Sequence, residues 1–403
     1  MDGAGALSMS FLAAILGLGL LILIHEAGHF FAARAVGMKP RKFYIGFPPP
    51  LVKRVRNGIE YGIGSIPLGG YVKIPGMSRP SPGDLAATLR PEVAAQHTAE
   101  LARLDTALAR DDEAGAHAAL EELRPALGET RSWQELEMAL APDAYWRQAT
   151  WRRLVAIGAG PGVNLLFAVV LFAAVFMVAT DTNRSTNVVA AVQSASPAAR
   201  AGLEANDRIV RLAGKQVRPE QMAAEIRATH GRPFRIVVRR DGGLVGIGPL
   251  RARMDHGAYR IGIAIQGKLG PGASPPRAVV MALQETWFDV RGTVEGMTHI
   301  FRGQDTQNVQ SSVGIVRTSA AAARSGVRDF LYILGAISLA LGIFNLIPVL
   351  PLDGGHIAIA LVEKLRGRTF AQSVYVKYSL IGFGLFAILM YIGLRNDLFG
   401  GGG

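Results

Sequence analysis

Four stretches of the chain are apolar and free of charge over the length that a membrane crossing requires. They run from Leu7 to Ile24, Leu154 to Ala179, Phe330 to Leu352 and Tyr378 to Leu394, and about 20 such residues in a helix span a hydrocarbon core. The pattern predicts four transmembrane helices. Only Asp2 is charged ahead of the first run, so it lacks the basic leader and cleavage site of a removable signal peptide and is expected to stay in place. Gly158, Gly160, Pro161, Gly162 and Asn164 punctuate the second run near its start, and the third ends in a Pro-containing stretch; both signal irregular backbone.

Between the runs the periodicity changes. Short apolar segments at Phe43 to Phe47, Tyr61 to Ile66 and Tyr71 to Ile74, separated by Gly and Pro, predict short strands or hairpins. The pattern leaves open whether they form a small sheet that dips into the bilayer under protein cover or a surface hairpin. Leu101, Leu104, Leu108, Leu120, Leu123 and Leu127 recur at helical spacing. With Pro125, Gly128 and many charges around them, they predict a helical hairpin or a loosely packed insertion, in which His97 and His117 are solvated. Ala278 to Phe301 reads as an amphipathic helix on the outer membrane surface.

Residues Ser196 to Val217 fit the pattern SPAxxAGLxxxDxIxxxxGxxV, which resembles the signature of a bacterial PDZ domain. Strands are expected near Asn187 to Val192, Phe234 to Arg239 and Tyr259 to Ile265, with a helix around Met222 to Ala228. Such a fold offers a groove where an extended peptide tail adds as a strand; the alternative is a small sheet domain without a peptide partner.

Composition narrows the chemistry. Half of the 403 residues are apolar and none is Cys, which excludes disulfides, a thiolate nucleophile and a Cys-based zinc site. The net charge is +12, yet Lys and Arg lie beside the apolar runs and form no aromatic-interleaved stripe, so orientation in a membrane explains them and nucleic acid does not. Arg34, Lys39, Arg41, Lys42, Lys53, Arg54 and Arg56 follow the first run, and Arg147, Arg152 and Arg153 precede the second. Lys364, Arg366, Arg368 and Lys377 join the last two. Those connections are expected to be cytoplasmic, with both termini and residues 181–328 outside.

The first run meets His25-Glu26-Ala27-Gly28-His29. Residues four apart share a helix face, so His25 and His29 can bind one metal while Glu26 takes a proton from a water that the metal polarises. Two His and a Glu in an apolar span point to function by default. A catalytic zinc takes three protein ligands; Asp353, at the end of the third run, is the candidate for the third. His356 competes on spacing, and a helix-capping role for Asp353 is the bland alternative.

Together these segments resemble the site-2 protease family of intramembrane zinc metalloproteases, most closely its RseP-like (regulator of sigma-E protease) type, over nearly the whole chain. The zinc helix matches His25 to His29, the second-span motif Gly160-Pro161-Gly162-Val163-Asn164, and the third-span motif Asn345, Pro348 and Asp353-Gly354. The resemblance implies a Zn2+ cofactor on His25, His29 and Asp353, Glu26 as general base, Asn345 holding an extended substrate, and Asn164 supporting the site. It also implies that Tyr61 to Tyr71 is a membrane re-entrant β-loop, with Gly62, Gly64, Gly69 and Gly70 along the substrate's path. Gly46-Phe47-Pro48-Pro49-Pro50 departs from the family, which usually has a second Gly after the Phe, and a single PDZ-like module stands where the best-known type has two.

The expected fold is therefore a polytopic α-helical membrane protein with four transmembrane helices, a membrane-associated β-hairpin region and an extracytoplasmic PDZ-like α+β domain. Its expected parts are residues 1–39 (first span), 40–76 (β-region), 77–150 (cytoplasmic insertion), 151–180 (second span), 185–268 (PDZ-like), 269–327 (amphipathic helix and linker) and 328–403 (third and fourth spans). By resemblance it resides in a bacterial inner membrane and cuts single-pass membrane proteins such as anti-sigma factors, or remnant signal peptides. A non-catalytic scaffold that binds peptide tails through the PDZ-like groove is the alternative.

Overall fold

The computed structural model describes residues 3–128, 130–193, 196–255, 258–302 and 311–399. The chain divides into two compact units, one of Met1–Phe172, Leu283–Gln304 and Ile315–Tyr391, the other of Ala173–Ala282, Asp305–Gly314 and Ile392–Gly403. In chain order, helix α1 is Gly3–Ala35. It runs past the uncharged stretch, so His25 to His29 lie inside the helix and not at its end. Strands β1 (Lys42–Arg56) and β2 (Ile59–Lys73) have 15 residues each, longer than the short strands that the sequence predicts. Asn57 and Gly58 join them with φ of 52° and 73°, the left-handed pair that a tight hairpin favours.

Strand β2 bends, and Phe43 of β1 pairs with both Tyr61 and Val72. The start of β1 thus lies between the two halves of β2, and Gly70 to Lys73 form an outer edge. Gly62, Gly64 and Gly69 permit the fold-back: a Cβ at Gly62 would overlap the Tyr44 ring, one at Gly64 the backbone of Phe47, and one at Gly69 would stand 2.7 Å from the Phe47 ring.

Helices α2 (Pro91–Gln96), α3 (Thr98–Ala109), α4 (Glu113–Leu127) and α5 (Arg131–Leu140) make up the insertion. It is packed, not loose. Leu101, Leu104, Leu120, Leu123 and Trp133 are buried together, the Trp133 indole donates to the Leu120 carbonyl at 3.3 Å, and Asp112 caps α4 by accepting from the Gly115 N–H at 2.9 Å. His117 is exposed, while His97 is half-buried and its ring lies 4.0 Å from Glu100.

Helix α6 (Thr150–Val178) continues through Pro161, so the glycines and proline that signal a break produce none. In the other unit, β3 is Ala179–Val192, α7 Pro197–Arg200, β4 Arg208–Leu212, β5 Lys215–Gln216, α8 Met222–Ala228, β6 Phe234–Arg240, β7 Gly243–Leu250, β8 Arg253–Asp255, β9 Ala258–Arg260 and β10 Ile263–Pro271. The main sheet has the order β10-β3-β4-β6-β7, with β5 on β4. Val189, Ile209, Leu212, Ile226, Ile236 and Val238 fill one core beneath it. The buried Asp207 carboxylate accepts from the Glu204 N–H at 2.9 Å and from two nitrogens of Arg240 at 2.7 Å. Strand β7 carries no strong alternation and goes unpredicted by the sequence pattern.

Helices α9 (Pro275–Phe301), α10 (Ser312–Ser325), α11 (Val327–Asn345), α12 (Asp353–Arg366) and α13 (Gln372–Phe399) complete the chain. Residues 303–310, within the expected linker, lie outside the described residues. Among the described residues four helices are long and apolar enough to cross a membrane: Met9–Ala35, Thr150–Val178, Val327–Asn345 and Gln372–Leu398. Leu12, Leu16, Val170, Leu380 and Phe386 on them are exposed, as a lipid-facing surface requires. Arg153, which the sequence pattern treats as an orienting charge beside a span, is instead buried and paired with Glu363 of α12 at 2.5 Å, each side chain 4% exposed.

Candidate metal centre

The HEAGH segment places three polar side chains on the buried side of α1. His25, Glu26 and His29 are 7%, 8% and 6% exposed within an apolar helix, where unpartnered polar groups are costly. His25 and His29 are one turn apart, with their Nε2 atoms 3.2 Å from each other. The third group arrives from far along the chain. Helix α11 ends at Asn345, and Pro348 and Pro351 keep residues 346–352 from resuming a helix. Helix α12 then starts at Asp353 itself, with Leu352 at the cap position and no side-chain capping bond. The Asp353 carboxylate is thus no helix cap. It turns to α1, with Oδ2 lying 3.2 Å from the Nε2 of His25 and 3.2 Å from that of His29.

The contacts and spacing of these atoms say what belongs between them. His29 Nδ1 is 3.0 Å from the Ala156 carbonyl of α6; a carbonyl only accepts, so Nδ1 donates and Nε2 presents its lone pair inward. Asp353 Oδ2 is buried and makes no hydrogen bond, and neither does His25 Nδ1. Two imidazole nitrogens and a carboxylate oxygen thus face one another across a triangle with 3.2 Å edges. Tetrahedral zinc, with bonds of about 2.0 Å, has ligand-to-ligand edges of about 3.3 Å. Two imidazoles and one carboxylate of this size and spacing can hold such an ion with a fourth position open.

Glu26 is next to the triangle and held by strand β2. It accepts a hydrogen bond from the Val72 backbone, and a Cβ at Gly70 would stand 2.7 Å from its Cγ. The approach of α1 to α6 also depends on missing side chains. A Cβ at Gly28 would be 2.7 Å from the Ala159 carbonyl oxygen, and one at Gly160 would overlap the His29 ring. Asn164, one turn beyond Gly160, is fully buried; its backbone carbonyl accepts from the Ser338 hydroxyl at 2.8 Å while both side-chain amide atoms lack a hydrogen bond.

Of the residues that the sequence singles out, His25, His29 and Asp353 converge, and Glu26 and Gly70 adjoin them. Asn345 closes α11, its amide donating to the Leu341 carbonyl at 2.9 Å. Gly62, Gly64 and Gly69 pack inside the hairpin. His356 is not part of the triangle; its ring faces Tyr375 at 6.1 Å between centroids. The sequence pattern misses Ala156 and Val72, which act through backbone atoms and so carry no residue-type signal. Gly28 escapes as well, although its place between the ligands within HEAGH was a usable signal.

Comparison with known proteins agrees with this chemistry. The model of Peptidase family M50 matches residues 13–389. The chain is 26% identical over 410 residues to "Probable protease eep" of Enterococcus faecalis, covering 94% of this chain and 96% of that one. It is 29% identical over 407 residues to "Zinc metalloprotease Rip1" of Mycobacterium tuberculosis, covering 89% of this chain and 87% of the relative.

Proposed function

This chain belongs to peptidase family M50 and is a zinc metalloprotease with four helices long and apolar enough to span a membrane among its described residues, and from that premise we propose that it hydrolyses a peptide bond of single-pass membrane proteins at the His25, His29 and Asp353 site. The observation that carries the proposal is the triangle of metal-ligating atoms of His25, His29 and Asp353, with 3.2 Å edges, beside the buried Glu26. Zinc bound there supplies a Lewis acid for the scissile carbonyl and acidifies a water.

The protein's own groups account for the remaining steps. His25, His29 and Asp353 are the zinc ligands, and the Ala156 carbonyl fixes the His29 tautomer. Glu26 takes the proton of the attacking water and delivers it to the leaving amine, which makes it general base and then general acid. A helix hides its peptide bonds, so the substrate must be extended to react. The outer edge of β2 from Gly70 to Lys73 pairs with it as an added strand, and the position of Val72 against Glu26 carries that edge past the reacting carbonyl. Asn164 and Asn345 supply amide groups that hold the extended chain.

The module at 185–268 is PDZ-like and binds peptide tails, and it faces outward with both termini, as the flanking Lys and Arg support. The insertion at 77–150 is cytoplasmic. We assign the protein to regulated intramembrane proteolysis in a bacterial inner membrane, with anti-sigma factors and remnant signal peptides as substrates.

The test is metal content of the detergent-purified chain by elemental analysis, beside cleavage of a model transmembrane peptide. About one zinc per chain is expected, lost in both His25→Ala and Asp353→Ala together with cleavage. A parent chain that holds no zinc after reconstitution overturns the assignment.

A further inference from the structure

Just beyond the strand that meets Glu26 lies a cavity of about 380 Å³, within the range of about 300–1,000 Å³ usual for ligand sites. One wall is the end of β2, including Val72 and Lys73; the other is the helical insertion, including Asp84, Glu135, Leu136 and Met138. The two walls are tied together. The backbone N–H groups of Tyr145 and Trp146 donate to the Pro75 and Gly76 carbonyls at 2.8 and 3.1 Å. The Trp146 indole donates to the Ala139 carbonyl at 2.8 Å, and Asp143 takes hydrogen bonds from the Lys39 N–H at 3.0 Å and the Arg41 guanidinium at 2.9 Å. Gly76 has φ +59°, and a Cβ there would stand 3.1 Å from the Ala139 Cα, so the close seat of α5 on the strand end needs glycine.

The charges in the cavity favour a cation. Its described charged groups are Lys73, Asp84 and Glu135. Lys73 Nζ is 3.7 Å from Glu135, which leaves Asp84 as a carboxylate in excess. The Ser81 N–H donates to the Asp84 carboxylate at 2.6 Å; burial, with Asp105 nearby, still pushes that carboxyl above its usual range, and a cation beside it would favour the charged form.

Geometry connects the cavity to the cleavage site. Val72 meets Glu26 and also lines the cavity with Lys73, and a chain laid along β2 advances about 3.3 Å per residue, so it passes from the site into the cavity within about three residues. The cytoplasmic flanks of membrane proteins are rich in Lys and Arg. We propose that this cavity receives the basic cytoplasmic flank of the unwound substrate, within about three residues of the bond that is cut, which makes the insertion a specificity element of the protease. The proposal rests on the protease reading above and on the cytoplasmic placement of the insertion.

The absence of Cys from the chain makes cross-linking clean. In full-length protein with Glu26→Gln to retain substrate, Met138→Cys is oxidised against a single-pass model peptide carrying one Cys at successive positions of its cytoplasmic flank. Cross-links confined to a narrow window of that flank are expected; none, or equal yield along the whole peptide, overturns the proposal. This arm needs no turnover, so it decides even for a peptide that is cut slowly. With Glu26 intact, Asp84→Lys combined with Glu135→Lys should raise KM for a Lys-flanked peptide about fivefold, the upper end for one ion pair at a partly solvated site, leave kcat unchanged, and be rescued on a Glu-flanked peptide. An equal change on both peptides, or no change on either, overturns it. Zinc content and cleavage by the parent chain report separately on the protease reading: a parent that cuts yet shows no cross-link window and no charge preference removes only the cavity assignment.

Discussion

His29 Nδ1 stands 3.0 Å from the carbonyl oxygen of Ala156, and this contact between α1 and α6 decides which way the imidazole faces. The proton stays on Nδ1 and the lone pair of Nε2 turns toward Asp353, 3.2 Å away. The contact requires the two helices to meet almost backbone to backbone, which Gly28 and Gly160 allow. A metal site is tuned by such outer contacts nearly as much as by its ligands.

Gly160→Ala tests this dependence. The added methyl would overlap the His29 ring, so the ring must rotate or the helices must part. Zinc affinity is expected to fall about 10–100-fold, read by competition against a graded series of chelators. Gly158→Ala is the control: a Cβ there meets nothing within 4 Å and should leave affinity unchanged. Equal affinities in the two variants would remove the close helix approach from the account of the site.

Glu26→Gln keeps the shape and burial of the side chain and its contact with β2 but removes its basicity. Zinc content should match the parent, and cleavage should fall by about 10²–10⁴. Loss of zinc in this variant would make Glu26 part of the metal site and not the base beside it.

How much of this was legible in the sequence depends on where each signal lived. Helical spacing put His25 and His29 on one face, and the uncharged runs marked four spans, because those features are local. The convergence of Asp353 with His25 was beyond spacing alone, since 353 and 25 meet only through tertiary packing; its place at the Pro-broken end of the third run made it the candidate, and motif resemblance set it above His356. Pro161 and its flanking glycines argued for a break in α6 that packing overrides, and the glycines serve close approach instead. The 15-residue strands β1 and β2 read as short pieces because Gly and Pro within them punctuate the pattern. Arg153 misled most plainly. A Lys or Arg beside a span reads as an orienting charge, and its partner Glu363 is 210 residues away.

That buried pair is expected to dominate the stability of its surroundings. Glu363 also accepts from the Phe370 N–H at 2.6 Å, so Glu363→Ala strands both an arginine and a backbone donor. Removing one partner of a buried pair costs about 3–5 kcal/mol. The thermal midpoint in detergent should drop accordingly, and because α12 begins with Asp353 the zinc content should fall with it. Arg153→Met combined with Glu363→Leu should be milder than Glu363→Ala alone, as no unpaired charge remains. A double variant as unstable as the single one would mean that the pair matters through shape and not through charge.

Asp207 makes the sheet module sensitive to acid in a defined direction. It is 1% exposed, and the Arg240 guanidinium, helped by the Glu204 N–H, holds its carboxyl below the usual carboxylate range. The unfolded chain, with an ordinary value of about 3.9, therefore takes up this proton before the folded one does. The stabilisation is fully present above about pH 4 and is lost as pH falls through the lowered folded value. Hydrogen-exchange protection of the β4 and β6 amides, corrected for intrinsic exchange, should decline on acidification in that window. Asp207→Asn should lower protection at neutral pH by about 1.5–3 kcal/mol, the range for a hydrogen bond to a charged group, and flatten the acid decline. If the variant kept the parent's pH profile, the acid sensitivity would belong to another carboxylate, and the Asp207–Arg240 pair would be a structural contact without a titration signature.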